Sequence, residues 1–251
     1  MARSPSGESV IERVVRILEA FDPETPALSV NELAARSGLP SSTASRLVDQ
    51  LVSEGLLRRD ASRRVRVGVR MWELASRASP TLALRQAAMP FMEDVQAVVG
   101  HHTQLGVLDR REVLFLERLS ARRAVVNITR VAGRLPLHAS SGGHVLLAHG
   151  PHSLQQEIIA SPLRRYTDAT VTDPTQLRRV LADVRRQGYA FCPGHIDPAA
   201  TGIAVPVQDR RGRVVAALSV VVPNDDEART HIGVLKTATR GLERALAGPV
   251  Q

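Results

Sequence analysis

The run Leu33-Ala34-Ala35-Arg36-Ser37-Gly38-Leu39 constrains this chain more tightly than any other. Two short helices can cross closely only with a small residue at their contact. The chain can reverse between them only at a residue that tolerates a positive φ. Ala34 and Gly38 meet those two needs. Upstream, Val10, Val14, Ile17, Leu18 and Phe21 recur at helical spacing, and Asp22-Pro23 with Pro26 ends that helix. Ser29 is placed to cap a second helix over 30–37. Pro40-Ser41 opens a third, running to about Glu54 and closed by Gly55. Two short runs, 56–60 and 64–68, then flank the polar turn Ala61-Ser62-Arg63 and read as a β-hairpin. Three helices and a hairpin outline a winged helix-turn-helix.

The third helix divides into two faces. Leu39, Leu47, Val48 and Leu51 form an apolar stripe, and Ser42, Ser45, Arg46 and Asp49 lie opposite. A helix that enters the DNA major groove needs this division, because one face must pack while the other meets base edges. From Arg58 to Arg70 there are six arginines and one acid, Asp60. Such a wing suits phosphates. Contacts to double-stranded DNA are therefore expected from Ser41, Ser42, Thr43, Ser45 and Arg46 on the helix, and from Arg58, Arg59, Arg63, Arg64 and Arg66 on the hairpin. The competing interpretation is a plain three-helix bundle with a solvated basic loop.

Overall charge is a weaker guide. The net charge is +8, but residues 1–77 carry only +2 of it and residues 78–251 carry +6. Lys236 is the only lysine, so 32 of the 33 basic residues are arginine. That bias speaks of composition more than of single sites. The local placement of the arginines carries the nucleic-acid argument. Aromatic residues are 3%, too few for single-strand stacking platforms.

With 251 residues and 43% hydrophobic content, the chain suits one large or two smaller packed domains. Residues 1–7 read as a polar tail. Helices are expected at 71–78 and 82–99, with Ser79-Pro80 between them. Beyond Thr103, strands are expected at 105–108, 113–119, 125–129, 203–207 and 214–222, and helices at 142–149, 154–160, 176–187 and 225–246. This order implies an α+β sheet domain rather than a βαβ array. Cys192 is the only cysteine, so no intrachain disulfide can form. No apolar leader or membrane-length segment is present in the given sequence, which reads as soluble and cytoplasmic. Motifs for acyl or phosphoryl transfer, metalloproteases and dinucleotides are lacking. His144, His149 and His152 do not share one helical face, so metal binding there is not expected. His101-His102 reads as a solvated helix end.

Glu12 to Phe21, Leu33 to Leu39 and Glu54-Gly55-Leu56-Leu57-Arg58-Arg59 resemble the DNA-binding half of IclR-family transcription regulators. Gly133-Arg134-Leu135-Pro136-Leu137-His138-Ala139-Ser140-Ser141-Gly142, Gly188-Tyr189-Ala190, Ile203-Ala204-Val205-Pro206-Val207 and Ala217-Leu218-Ser219-Val220 are similar to its second half, in family order. The resemblance implies a winged helix-turn-helix over 8–70, a linker helix over 71–80 and a GAF-like effector-binding and oligomerisation domain over 81–248. It implies a homodimer or homotetramer on operator DNA, regulated by an organic acid or aromatic catabolite, with no enzyme activity, cofactor, metal or membrane partner. A small-molecule enzyme bearing a DNA-binding-like domain is the alternative. Carried over by motif, the effector pocket would include Ala124, Asn127, Ser141, Gly142, Cys192, Gly202, Ser219 and Val221. Three positions depart from the family pattern: His195 where an acid is common, Gly202 where many members have cysteine, and His144 in place of a lysine.

Overall fold

The computed structural model describes residues 7–22, 24–77, 79–122, 124–125 and 127–248. Residues 1–6 of the expected tail over 1–7, and the expected roles of Pro23 and Ala78 as helix ends, lie outside the described residues. The chain divides into two compact units, Met1–Pro80 and Thr81–Gln251.

In the first unit, α1 (Val10–Glu19) and α2 (Val30–Ser37) both start with reciprocal capping boxes. Ser9 pairs with Glu12, and Ser29 with Glu32, so each serine hydroxyl takes an amide that would otherwise lack a partner. Gly38 closes α2 in the left-handed conformation at φ 63°, as the tight turn demanded. Helix α3 (Ser41–Ser53) follows Pro40 and has no side-chain cap at its N-terminus. Strands β1 (Leu57–Arg59) and β2 (Val65–Val67) form the antiparallel hairpin. Leu28 pairs with Val65 in an isolated antiparallel bridge, and ties the α1–α2 connection to the wing. Ile17, Leu28, Leu33, Leu47, Val48, Leu57 and Val65 are almost fully buried in one core. Helix α4 (Val69–Ser76) leaves the wing, and Trp72 on it is exposed.

The second unit begins along α5 (Pro80–Val99) and is built on a six-stranded antiparallel sheet. Its strands are β3 (His102–Asp109), β4 (Glu112–Leu119), β5 (Arg134–Pro136), β6 (Ala190–Pro193), β7 (Ala200–Gln208) and β8 (Val214–Pro223), ordered β5-β4-β3-β8-β7-β6. Strand residues alternate between faces. Leu105 and Val107, Ile203, Val205 and Val207, and Leu218, Val220 and Val222 all point one way. There they meet Met92 and Val95 of α5, and Leu235 and Leu242 of α9 (His231–Ala247). The opposite face is floored by smaller residues, including Ala204 and Ala217. It packs α6 (Ser141–His149), α7 (His152–Ala160) and α8 (Pro174–Gln187).

Three expectations change. The segment 125–129 is not a strand over its described residues. The edge is supplied instead by β5, whose Leu135 pairs with Val113. The expected final helix over 225–246 starts as a 3-10 turn, Asp226–Thr230, before α9. His102 is not a solvated helix end. It is buried in β3, with Nδ1 3.0 Å from Ser120 Oγ and Nε2 2.6 Å from the Val125 carbonyl. A residue that pins a loop from inside a sheet looks the same in sequence as one that ends a helix.

Candidate functional site

Two sites emerge, one in each unit. The first is the exposed side of α3. Ser42, Ser45, Arg46, Asp49, Gln50 and Ser53 line one continuous polar surface along it, because positions three and four apart share a helix face. Ser41 and Ser42 are exposed and Thr43 half-buried at its uncapped start. The first-turn amides of such a helix have no acceptor within it.

The wing arginines fall into two classes. Arg59 is held by Asp49 at 2.7 Å, Arg64 by Glu32 at 3.0 Å and Arg66 by Asp60 at 3.0 Å. Asp60 also accepts from Ser62 and from the Arg64 amide, so it shapes the turn of the hairpin. The hydroxyl of Ser62, followed by the Arg66 guanidinium, holds its carboxyl down to about 2. Among the described residues, no hydrogen bond or ion pair engages the guanidinium of Arg46, Arg58 or Arg63. The five arginines of the hairpin are therefore unequal, and a pairing pattern across strands cannot be read from their count.

The second site is a cavity of the second unit between the sheet and the start of α6, enclosing about 560 Å³ of atom-free space with its mouth included. Sheet register builds its floor. Cys192 pairs with Gly202, which pairs with Val221, and one step along Ala204 pairs with Ser219 and Ser219 with Gln104. All lie on the face away from Leu105, Ile203 and Val220. A Cβ at residue 202 would stand 2.9 Å from Ser141 Oγ and would displace that hydroxyl. The lack of a side chain at Gly202 lets the Ser141 hydroxyl sit over the strand.

The cavity wall carries a relay of hydrogen bonds. Ser219 Oγ donates to Gln104 Oε1 at 3.5 Å, Gln104 Nε2 donates to Thr129 Oγ1, and Thr129 Oγ1 donates to Asn127 Oδ1 at 2.8 Å. The relay ends on Asn127 Nδ2, which is buried and has no partner among the described residues. A buried donor without an acceptor costs about 1–3 kcal/mol, so this position favours an incoming acceptor. The Ser140 hydroxyl caps α6 by accepting from the Gly143 amide at 3.1 Å, which leaves the amides of Ser141 and Gly142 at the helix's positive end. Among the described residues, no lysine or arginine lines the cavity.

Of the expected effector residues, Asn127, Ser141, Gly142, Cys192, Gly202, Ser219 and Val221 come together on this cavity, and Ala124 does not line it. Gln104, Phe115, Thr129 and His195 line it as well. The alternation of β3 places Gln104 opposite Leu105 and Val107, a signal available in the sequence. Thr129 belongs to an irregular segment that periodicity cannot place. His144 joins neither His149 nor His152, both exposed. It is buried, with Nδ1 3.3 Å from Cys192 Sγ and Nε2 2.6 Å from the His138 carbonyl. Burial holds its imidazole down to about 4, so it is neutral near pH 7, and burial pushes the Cys192 thiol up.

Residues 77–242 match the family described as "Bacterial transcriptional regulator IclR C-terminal", and residues 10–61 match the "IclR helix-turn-helix domain". The chain belongs to the IclR family. It is similar to the HTH-type transcriptional regulator XynR of Escherichia coli, at 29% identity over 95% of this chain and 97% of XynR. It is also similar to BhcR of Paracoccus denitrificans, at 30% identity over 88% of this chain and 80% of BhcR. A crystal structure of an IclR homolog from Microbacterium hydrocarbonoxydans, complexed with 4-hydroxybenzoate, is 50% identical and superposes with a TM-score of 0.91. It covers 95% of this chain and 99% of that one. The protein is thus an IclR-type transcriptional regulator with a helix-turn-helix DNA-binding part and a C-terminal effector domain, and its matched relatives are regulators rather than enzymes. Among the described residues, no helix is long and apolar enough to cross a membrane.

Proposed function

We propose that this IclR-type regulator binds operator DNA in a sequence-specific way as a homodimer or dimer of dimers, and that a small aromatic hydroxy acid in the sheet cavity changes its DNA affinity. Residues 8–70 act as the DNA-binding domain, 71–80 as a linker helix, and 81–248 as the effector and oligomerisation domain. On α3, Ser45 and Arg46 address base edges, while Ser41, Ser42 and Thr43 present hydroxyls and uncapped amides to phosphate. Arg58 and Arg63 lead the wing's phosphate contacts, with Arg59, Arg64 and Arg66 exchanging their internal acids for DNA.

One observation carries the effector assignment: the Asn127 Nδ2 at the end of the relay is unpaired among the described residues, and Asn127 lines the cavity together with Ser141 and Gly142 at the positive end of α6. Together they offer donors to an anionic oxygen, and Phe115 and Leu135 offer apolar walls to a ring. The 4-hydroxybenzoate in the structure of the half-identical homolog supports this ligand class.

The test is selection of duplex DNA from a random pool by the full chain, followed by titration of the recovered sequence with 4-hydroxybenzoate. A palindromic consensus whose affinity shifts with 4-hydroxybenzoate, and not with 4-hydroxybenzamide, is the expected result. Recovery of no consensus overturns the DNA assignment, and an unmoved affinity overturns the effector class.

A second expectation follows from the close approach at residue 202. Gly202→Ala should push the Ser141 hydroxyl aside and weaken 4-hydroxybenzoate binding about tenfold, the loss of roughly one hydrogen bond. Isothermal titration would show it, and unchanged affinity would remove Ser141 from the ligand site.

A further inference from the structure

At the ligand cavity, three side chains from two distant stretches of the chain converge: His144 on α6, and Cys192 on β6 with His195 just past it. Each offers one donor atom, and these atoms all lie within 4.8 Å of one another. The pair Cys192 Sγ and His144 Nδ1 is already 3.3 Å apart. Two donors of a tetrahedral zinc ion, with bonds of about 2.3 Å to sulfur and 2.0–2.1 Å to nitrogen, stand roughly 3.5 Å from each other. His195 would need to close by about 1 Å to complete that span.

The surroundings are those of a ligand set. The Nε2–H of His144 donates to the His138 carbonyl at 2.6 Å, which fixes the tautomer and aims the Nδ1 lone pair at Cys192. A backbone carbonyl on the far ring nitrogen is the usual support of a metal-bound histidine. His195 Nδ1 is buried and has no partner among the described residues, so the ring has a donor-acceptor atom that they leave unused. The residue is held in place from its main chain, where its carbonyl accepts from Thr170 Oγ1 at 2.6 Å. Cys192 and His195 both line the cavity.

We propose that His144, Cys192 and His195 form a metal site for a zinc-type divalent ion, with its fourth position open to the cavity. This departs from the expectation of no metal, which considered His144 only with its sequence neighbours His149 and His152. On binding, the Cys192 thiol gives its proton to solvent and the thiolate sulfur, with the two neutral imidazoles, donates to the ion. Among the described residues no lysine or arginine lines the cavity, so the ion would supply the positive charge that faces a bound carboxylate. That last step rests on the effector assignment above, while the site itself does not.

The experiment is titration of the chelator-stripped full chain with Co²⁺ and then Zn²⁺, with no organic ligand present. The expected result is one ion per chain and a thiolate-to-cobalt charge-transfer band that zinc displaces. Cys192 is the only cysteine, so the band in the unaltered chain already identifies its sulfur. Cys192→Ser should abolish the band, and His144→Asn and His195→Asn should each weaken binding at least tenfold, with circular dichroism as the folding control. No band in the unaltered chain overturns the proposal, and leaves a thiol–imidazole hydrogen bond. A band whose affinity ignores both histidine substitutions in folded protein overturns the three-residue site. Either failure leaves the 4-hydroxybenzoate result untouched.

Discussion

Replacing Arg58 and Arg63 together by alanine is expected to lower the slope of log affinity against log salt by about 2, and to weaken selected and random duplexes alike. Both side chains are exposed and have no protein partner among the described residues. They can neutralise phosphates without breaking an ion pair first. Arg64→Ala should change the slope less, because Arg64 already sits 3.0 Å from Glu32 and its transfer to phosphate exchanges one anion for another. Such exposed pairs are worth only about 0–1 kcal/mol, so none of these changes should unfold the domain. Arg46→Ala should act differently, with a loss of roughly 1–3 kcal/mol confined to the selected sequence if it reads a base edge. Fluorescence anisotropy on selected and scrambled duplexes across a salt series separates the two behaviours. An unchanged slope in the Arg58/Arg63 double variant would rule out the wing as a phosphate clamp. An equal loss on both duplexes would make Arg46 a phosphate contact.

Local rules carry most of the first unit. Ser29 as a cap, Gly38 as the turn and the hairpin about Ala61-Ser62-Arg63 each follow from a single residue's conformational preference, and the structure has all three. The second unit shows where such rules stop. β5 is three residues long and β6 four; strands that short carry almost no periodicity and exist because longer neighbours offer open edges. The cavity's residues were named largely through family motifs, but their convergence has a physical basis in sheet register. Rows such as Cys192–Gly202–Val221 bring together positions far apart in sequence. The cluster of His144 with Cys192 and His195 was hidden for the same reason. Spacing along one helix tests only neighbours on that helix, whereas this contact joins residues 48 positions apart. Ion pairing on the wing was equally hidden, since Arg59 finds Asp49 on another element.

Gly68→Ala should have a larger effect than any surface change. The backbone there, at φ −81° and ψ 153°, suits alanine without strain. The obstacle is space: a Cβ would stand 2.1 Å from the Gly55 carbonyl oxygen and 3.0 Å from two carbonyl carbons. These are backbone atoms and cannot rotate away. The same contact carries the Gly68 amide to the Leu56 carbonyl at 2.8 Å, so relief of the clash removes the bond that closes the wing onto the end of α3. Leu57 and Val65, the buried residues of the two wing strands, would lose their register against Leu28. Overpacking of about 1–3 kcal/mol together with a lost buried hydrogen bond gives a cost of roughly 3 kcal/mol. That is a large share of what a unit of this size can spare. DNA binding should be lost at physiological temperature. The second unit has its own sheet and two cores, so the thermal stabilisation of that unit by 4-hydroxybenzoate should persist in the variant. Calorimetry with and without the acid would separate the two transitions. A variant that binds DNA with near-normal affinity would show that the wing can move off Gly55, and that its position in the folded unit is not the one DNA requires.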